Sequence, residues 1–353
     1  ILLEAAMQLM ERVIPPPSHA EITSRLLRAV QDLNHFGITS VHDFDCWELF
    51  EILQELDRDG KLPLRVVKGI PLNSLDQVIG LDLHSGQQNG NLQIGWLKLF
   101  SDGALGTQSA AMLQPYESDP ANFGMLLMEK EEMVEIGRKA VKNGIHLAVH
   151  AIGDRANREV LDAFRSIRKI ETHLGLPHPH HRMEHVQIIQ PADQAKLSEM
   201  NILASMQPVH VLSDQETAEQ QWGTRCQYAY AWNSLLKEGV NLLFGSDAPV
   251  ESPNPFHGLA AAISRRKLDL HPSATGWQTQ ECLSFENAFQ AYTINPAYAT
   301  GCSERLGKIA PGYEADLMVL NQDPFTLPVD ELAQLLPLSV MHHGDWVWKA
   351  DAG

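Results

Sequence analysis

The chain has 353 residues, and its 27 lysines and arginines stand against 44 aspartates and glutamates, which gives a formal net charge of −17 at pH 7. This acidic balance argues against nucleic acid and against an anionic membrane surface as partners. We find no apolar run that could span a bilayer and no signal peptide, so we expect a cytoplasmic protein. The cysteines include no Cys-x-x-Cys pair, which argues against a zinc knuckle and fits a reducing compartment; they are Cys46, Cys226, Cys282 and Cys302.

Helical segments recur along the chain. The opening stretch ILLEAAMQLMERVIPPP predicts an acidic amphipathic helix that ends at prolines. The next predicted helix covers 18–36, because Ser18 with Glu21 three positions later forms a capping box. Further helices are predicted over 129–143, 155–174 (with Asp154 as N-cap), 191–200, 257–270 and 284–300.

Seven short apolar segments alternate with these helices and predict strands at 37–45, 62–70, 94–103, 144–154, 181–189, 201–209 and 240–250. Repeated strand–helix alternation predicts a parallel sheet and an α/β fold. A (β/α)8 TIM barrel that is one strand short fits better than a doubly wound sheet, because no glycine-rich phosphate turn follows the first strand.

The end of the chain changes character. From about residue 303 it consists of strand and turn sequence without long helices, and Pro311-Gly312 marks a turn. We therefore predict that residues 1–302 form the barrel and that residues 303–353 form a small C-terminal β module beside it.

Polar residues lie at or near the carboxyl ends of four predicted strands, which is where barrel enzymes place their chemistry. Lys98 and Asp102 share one face of a strand, and the others are His150, His185 and Asp247. Each alone is more simply a hydrogen-bonded core group, a turn residue or a lysine that reaches solvent. Together they converge on one small volume, and imidazole with carboxylate suits zinc or another divalent first-row metal.

For other polar residues near these strands the sequence allows more than one role. Glu184 could cap or pair, and His42 and His210 could contact a substrate or support a ligand. The clustered histidines of HLGLPHPHH, residues 173–181, predict a solvated loop, except that His181 begins the strand that leads to His185.

Five motifs, in order, resemble the amidohydrolase superfamily: KLFSDGALG, HAIGDRAN, RMEHVQ, GSDAPV and LGKIAPGYEADLMVL. The similarity is greatest to its YtcJ-like branch, which includes N-substituted formamide deformylases. The resemblance covers nearly the whole chain. It implies a (β/α)8 barrel with a flanking β-sandwich and a metal-dependent hydrolase site.

The resemblance also implies roles for single residues. His150 and His185 would be metal ligands, Asp247 would bind metal and move protons, and Lys98 would be a bridging lysine that is often N-carboxylated. One or two divalent ions, zinc by preference, would activate a water that attacks a small amide-like substrate, with Asp247 passing the proton to the leaving amine. Substrate contacts are expected from Asp102, Arg182 and His210.

One part of the family pattern is missing. No His-x-His pair lies on a predicted strand, and the single match, HPH at 178–180, lies in the proline-rich loop. Because the chain also begins with Ile1, we expect it to lack the family's first strand and part of the β-sandwich. Such a chain should bind metal poorly, hydrolyse little by itself and tend to form homo-oligomers. We therefore predict an unmodified Lys98, paired with Asp102 or Asp247.

Two other functions remain open. The first is a non-catalytic or regulatory homologue of the amidohydrolases, which the missing His-x-His would suit. The second is a Schiff-base lyase that uses Lys98 as its nucleophile, although His150, His185 and Asp247 would then have no common role.

Overall fold

The computed structural model describes residues 13–267 and 274–350. The helix predicted for the opening stretch lies outside these residues, apart from 13–17, which form a turn and irregular chain. Within the described residues, no helix is both long and apolar enough to cross a membrane.

All seven predicted strands are present and lie side by side in one parallel sheet, in the order β1-β2-β4-β5-β6-β7-β8. The two-residue strand β3 pairs antiparallel with β4. Within the described residues β1 and β8 do not pair, so the sheet is an incomplete β/α barrel, and the predicted fold class is confirmed. The strands are β1 Ser40–Asp43, β2 Arg65–Pro71, β3 Gln88–Asn89, β4 Leu92–Phe100, β5 His146–Ala151, β6 Arg182–His185, β7 Leu203–Met206 and β8 Leu242–Phe244.

Helices connect the strands and cover the outside of the sheet. The first, α1, begins after Ser18, whose side chain and that of Glu21 form the predicted capping box. The helices of the barrel are α1 His19–His35, α2 Leu49–Arg58, α3 Leu75–Gly80, α4 Lys130–Lys142, α5 Asp154–Leu174, α6 Pro191–Glu199, α7 His210–Trp222, α8 Trp232–Lys237, α9 Pro255–Ser264, α10 Phe285–Tyr292 and α11 Ile294–Ala299.

Three helix predictions need correction. The helix predicted over 257–270 ends at Ser264, because Arg265 adopts a left-handed conformation with φ 51°. The helix predicted over 284–300 is two helices that meet at Thr293, just before Pro296, which has no N–H for the helical ladder. Asp154 does not cap α5: Gly153 is the N-cap, and the Asp154 carboxylate accepts a hydrogen bond from the Leu113 N–H at 2.8 Å.

The barrel interior is filled in layers. A small apolar cluster packs inside the sheet, and a larger core lies between the sheet and its helices. The inner cluster includes Val67, Trp96, Ala148, Leu203 and Leu243. Because side chains alternate along a strand, the residues two positions further on face the same interior, nearer its carboxyl end. That upper layer is polar, and it contains Lys98, His150, Glu184 and Ser205.

The end of the chain forms the small β module that the sequence predicts. Its sheet is antiparallel, in the order β11-β10-β9, with β9 Leu317–Val319, β10 Ser339–His342 and β11 Asp345–Lys349, and the short helix α12 Val329–Ala333 precedes β10. The buried Arg65 of β2 donates to Glu314 and Asp316 and so ties the module to the barrel. The division of the chain at residue 302 stays a prediction.

Candidate metal centre

Three side chains meet at the carboxyl end of the sheet and could hold a metal ion. They are His185, His210 and Asp247, and their ligand atoms all lie within 4.8 Å of one another. His185 ends β6, His210 begins α7, and Asp247 follows β8. His185 and Asp247 have positive φ angles of 71° and 57°. Strained backbone of this kind clusters at functional sites, and two of the three converging residues adopt it here.

His210 supplies the clearest sign that the group is open to a ligand. Its Nε2 atom is buried and has no hydrogen-bond partner, and it lies 3.8 Å from Oδ2 of Asp247. A buried polar atom without a partner costs free energy, so such atoms need an explanation. A divalent cation bound to this nitrogen would remove that cost, and two imidazoles with a carboxylate suit such an ion.

His185 is held in place from one side of its ring. Its Nδ1 lies 2.8 Å from the Gln207 side-chain oxygen, and its ring centroid lies 4.7 Å from that of His150 and 6.1 Å from that of His210. Burial, with a contribution from His150, lowers the pKa of His185 well below its usual range. The imidazole is therefore neutral near pH 7, which is the form that binds metal.

Asp247 has the exposure and the acidity expected of a proton carrier. Its side chain is 42% exposed. Burial raises its pKa, while His210 and Lys98 oppose that shift. A carboxyl group with a raised pKa exchanges protons more readily near neutral pH than an ordinary aspartate does.

Lys98 lies beside this group but not in it. Its Nζ atom is 5.0 Å from the ring centroids of both Phe44 and Phe100. It makes no hydrogen bond or ion pair with another described residue, so the predicted pairing with Asp102 or Asp247 does not form. Burial lowers the pKa of Lys98, and Glu184 opposes that shift.

His150 is a neighbour of the group and has partners of its own. Its Nε2 donates to the Gly103 carbonyl at 3.0 Å and lies 3.5 Å from Oδ1 of Asp102. Burial lowers its pKa to about 4. The imidazole is therefore neutral, and because Nε2 carries the proton, Nδ1 is the nitrogen left to bind a metal. The metal-binding roles of His150 and Lys98 stay predictions.

Asp102 binds backbone. Its carboxylate accepts hydrogen bonds from the N–H groups of Ala111, Ile152 and Gly153 at 2.8 to 3.0 Å, and the residue is 1% exposed. Burial raises its pKa to about 7, although these backbone donors oppose the shift. The contacts are those of an anchor that joins the loop after β4 to the end of β5. Its substrate role stays a prediction.

Arg182 is packed inside the barrel. Its guanidinium lies 4.5 Å from the Trp96 ring and 5.0 Å from the Phe44 ring, donates to Glu184, and contacts Nδ1 of His42 at 2.7 Å. Burial disfavours the charge of Glu184, yet Arg182 and Lys98 lower its pKa to about 2. The ion pair is thus intact at neutral pH. The predicted substrate contact by Arg182 stays untested.

Two residues contribute more to this region than the sequence indicates. Glu184 supplies the negative charge next to Arg182 and Lys98, and the two-residue spacing from Arg182 already put both on one strand face. Gln207 accepts the hydrogen bond of His185, but no feature of the sequence links these two residues, which are separated by a strand and a helix. For His210 the sequence predicts a contact with substrate or support of a ligand, and the structure brings it together with His185 and Asp247.

The comparisons with known proteins agree with this architecture. A family model described as the amidohydrolase family matches residues 1–348. YtcJ of Bacillus subtilis (strain 168) is 30% identical over 356 residues, covering 99% of this chain and 65% of YtcJ. The N-substituted formamide deformylase of Arthrobacter pascens is 26% identical, covering 81% of this chain and 52% of that enzyme.

A solved structure is similar as well. It belongs to a metal-dependent hydrolase of Pyrococcus horikoshii OT3, with a TM-score of 0.79, 28% identity, and coverage of 92% of this chain and 64% of that one. The chain thus spans less than two thirds of the length of each of these relatives. The family match over nearly all residues confirms the family that the five motifs predict: the chain belongs to the amidohydrolase family.

Proposed function

We propose that this chain carries the site of a metal-dependent hydrolase that cleaves a C–N bond in a small amide-like molecule. The observation that carries the proposal is the group of His185, His210 and Asp247, with ligand atoms within 4.8 Å of one another and one buried imidazole nitrogen without a partner. The family match and the likeness to a metal-dependent hydrolase support it. The formamide deformylase among the relatives supports an amide-like substrate.

Each residue of the group has a distinct task. His185 and His210 present imidazole nitrogens that would hold a divalent cation, for which zinc is our first choice. When bound, such a cation polarises a carbonyl and makes water more acidic. Asp247 accepts the proton of the attacking water at its carboxylate and returns it to the departing amine, which its raised pKa favours.

Lys98 is available for a further part in this site. A lysine without an ion pair and with a lowered pKa has a larger fraction of neutral amine. Neutral amine adds to carbon dioxide to form a carbamate with release of one proton, and the carbamate is an anionic ligand. We expect this modification only where metal is bound, and an unmodified Lys98 in the metal-free chain.

The test measures metal binding and turnover in the 353-residue chain. Zn²⁺ binding is followed by calorimetry, and release of amine from small formamides and other amides is assayed with metal present. Because no predicted strand carries a His-x-His pair, we expect weak metal binding and slow turnover. The decisive quantity is therefore the turnover of a variant relative to that of the parent chain. Asp247→Asn should lower turnover by about 10²- to 10⁴-fold, the usual contribution of a general acid–base group.

The matched control is Asp59→Asn, which changes an exposed aspartate 3.0 Å from Lys61 and should leave both quantities unchanged. A ¹³C-bicarbonate NMR signal that depends on Zn²⁺ and is lost in Lys98→Arg would identify the carbamate. A chain that binds no divalent metal, or an Asp247→Asn variant with parental turnover, contradicts the proposal. Metal binding without hydrolysis of any amide would favour a non-catalytic homologue.

A further inference from the structure

The side-chain amide of Gln207 has one favoured orientation. Its oxygen lies 2.8 Å from Nδ1 of His185, and its nitrogen donates to the Ser205 carbonyl at 3.4 Å. Turning the amide over would place its NH2 group against His185 and its oxygen against a carbonyl oxygen that can only accept. Two neighbours therefore point the oxygen of Gln207 at His185, and Gln207 is only 8% exposed.

An amide oxygen only accepts hydrogen bonds, so the proton of the neutral His185 ring must lie on Nδ1. The lone pair is then on Nε2, the atom through which this ring can bind a metal. The backbone of Gln207 also contributes, because its carbonyl accepts the N–H of His210 at 3.1 Å. Gln207 thus contacts the imidazole of His185 through its side chain and the backbone N–H of His210 through its carbonyl.

We propose that Gln207 is a positioning residue that fixes the tautomer of His185 and so prepares Nε2 as a metal ligand. This inference rests on the proposed function only in what it says of metal; the tautomer is a property of the metal-free chain. Groups that hold a ligating histidine in this way commonly account for a 10- to 100-fold effect on metal affinity.

The first readout is the tautomer of His185 in the metal-free 353-residue chain. Two-dimensional ¹H–¹⁵N spectra of histidine-labelled protein distinguish protonated Nδ1 from protonated Nε2, and His185→Gln identifies the signals of this ring. We expect protonated Nδ1 in the parent and in Gln207→Glu, whose carboxylate still accepts. Gln207→Met keeps the length of the side chain but removes the acceptor, and it should shift the ring toward protonated Nε2.

The second readout is the affinity for Zn²⁺ alone. Gln207→Met should weaken it by about 10- to 100-fold and Gln207→Glu should restore it. The matched control is Gln190→Met, which removes an amide that donates to Asp154 at 2.7 Å and should change neither readout.

The outcomes separate this inference from the proposed function. A Gln207→Met chain with an unchanged His185 tautomer overturns the inference. If the tautomer moves as expected but neither parent nor variant binds Zn²⁺, the positioning role stands and the metal-dependent function fails. Should Gln207→Met not fold, Gln207→Glu still decides, because loss of protonated Nδ1 in that variant overturns the inference as well.

Discussion

Two histidine–carboxylate groups lie at opposite ends of the same strand, β6, and they differ in one respect that separates structure from function. His181 immediately precedes the strand and pairs with Glu171 of α5, at 2.7 Å. His185 ends the strand and meets His210 and Asp247. Both groups combine histidine with a carboxylate, and both lie at an end of β6.

The first group is closed. Nδ1 of His181 accepts the Leu147 N–H at 2.9 Å, Nε2 donates to one oxygen of Glu171, and the other oxygen accepts from Arg168 at 2.8 Å. Both His181 and Glu171 are completely buried. Both ring nitrogens of His181 and both carboxylate oxygens of Glu171 have a hydrogen-bond partner, so this group leaves no buried polar atom unsatisfied and serves to hold α5 against the sheet.

The second group is open. Nε2 of His210 has no partner, and Asp247 is 42% exposed. A buried histidine with a buried carboxylate therefore does not by itself identify a site. The informative feature is a polar atom that the fold leaves unsatisfied at a place a ligand can reach.

The greatest loss of stability is expected when the closed group is disrupted. Glu171→Ala leaves the guanidinium of Arg168 and the ring of His181 without their shared carboxylate. Loss of one partner from a buried pair costs about 3–5 kcal/mol of unfolding free energy, and urea denaturation measures it. Glu135→Ala, which breaks an exposed pair with Arg138, should cost no more than about 0.5 kcal/mol. A Glu171→Ala chain as stable as this control would show that the closed group is not structural.

The second prediction concerns His181, which should make the unfolding free energy depend on pH. Burial lowers the pKa of His181, and because Nδ1 already accepts a backbone N–H, the native ring cannot take a second proton. Below pH about 6.5 the unfolded chain binds a proton here that the native chain does not, so stability is full above that pH and falls as the pH decreases. The contribution of one histidine to this slope is about 1.4 kcal/mol per pH unit.

His181→Gln isolates that contribution, because its amide can still donate to Glu171 and does not titrate. Between pH 6 and pH 5 the unfolding free energy should fall less steeply in the variant than in the parent. The two slopes should differ by the contribution of one proton, about 1.4 kcal/mol per pH unit. Above pH about 7.5 the two slopes should coincide. Identical slopes at both pH ranges would mean that native His181 takes up a proton and that the group is not closed.

The sequence predicts the features that depend on local patterns, but it does not predict which side chains become partners. Strands and most helices could be predicted, because burial of alternating or periodic apolar residues repeats locally along the chain. Residues at strand ends such as His185 and Asp247 could be predicted for the same reason. The hydrogen-bond partners could not: His181 is predicted as the first residue of a strand, but the sequence does not show that it is completely buried and pairs with Glu171 of α5. Gln207 contacts His185 only because β6 and β7 are neighbours, and the spacing of the residues in the sequence does not show this.

The smallest expected effect on stability belongs to the open group. His210→Leu replaces a ring whose buried Nε2 has no partner, so the apolar side chain removes an unsatisfied atom as well as some packing. These two effects oppose each other, and we expect the unfolding free energy to change by less than about 1 kcal/mol. Zn²⁺ affinity should nevertheless fall at least about 10-fold, since one of three ligands is gone. Calorimetry and urea denaturation on the same sample distinguish the two groups directly. A variant that loses stability as Glu171→Ala does, while binding Zn²⁺ as tightly as the parent, would reverse the assignment of the open and closed groups.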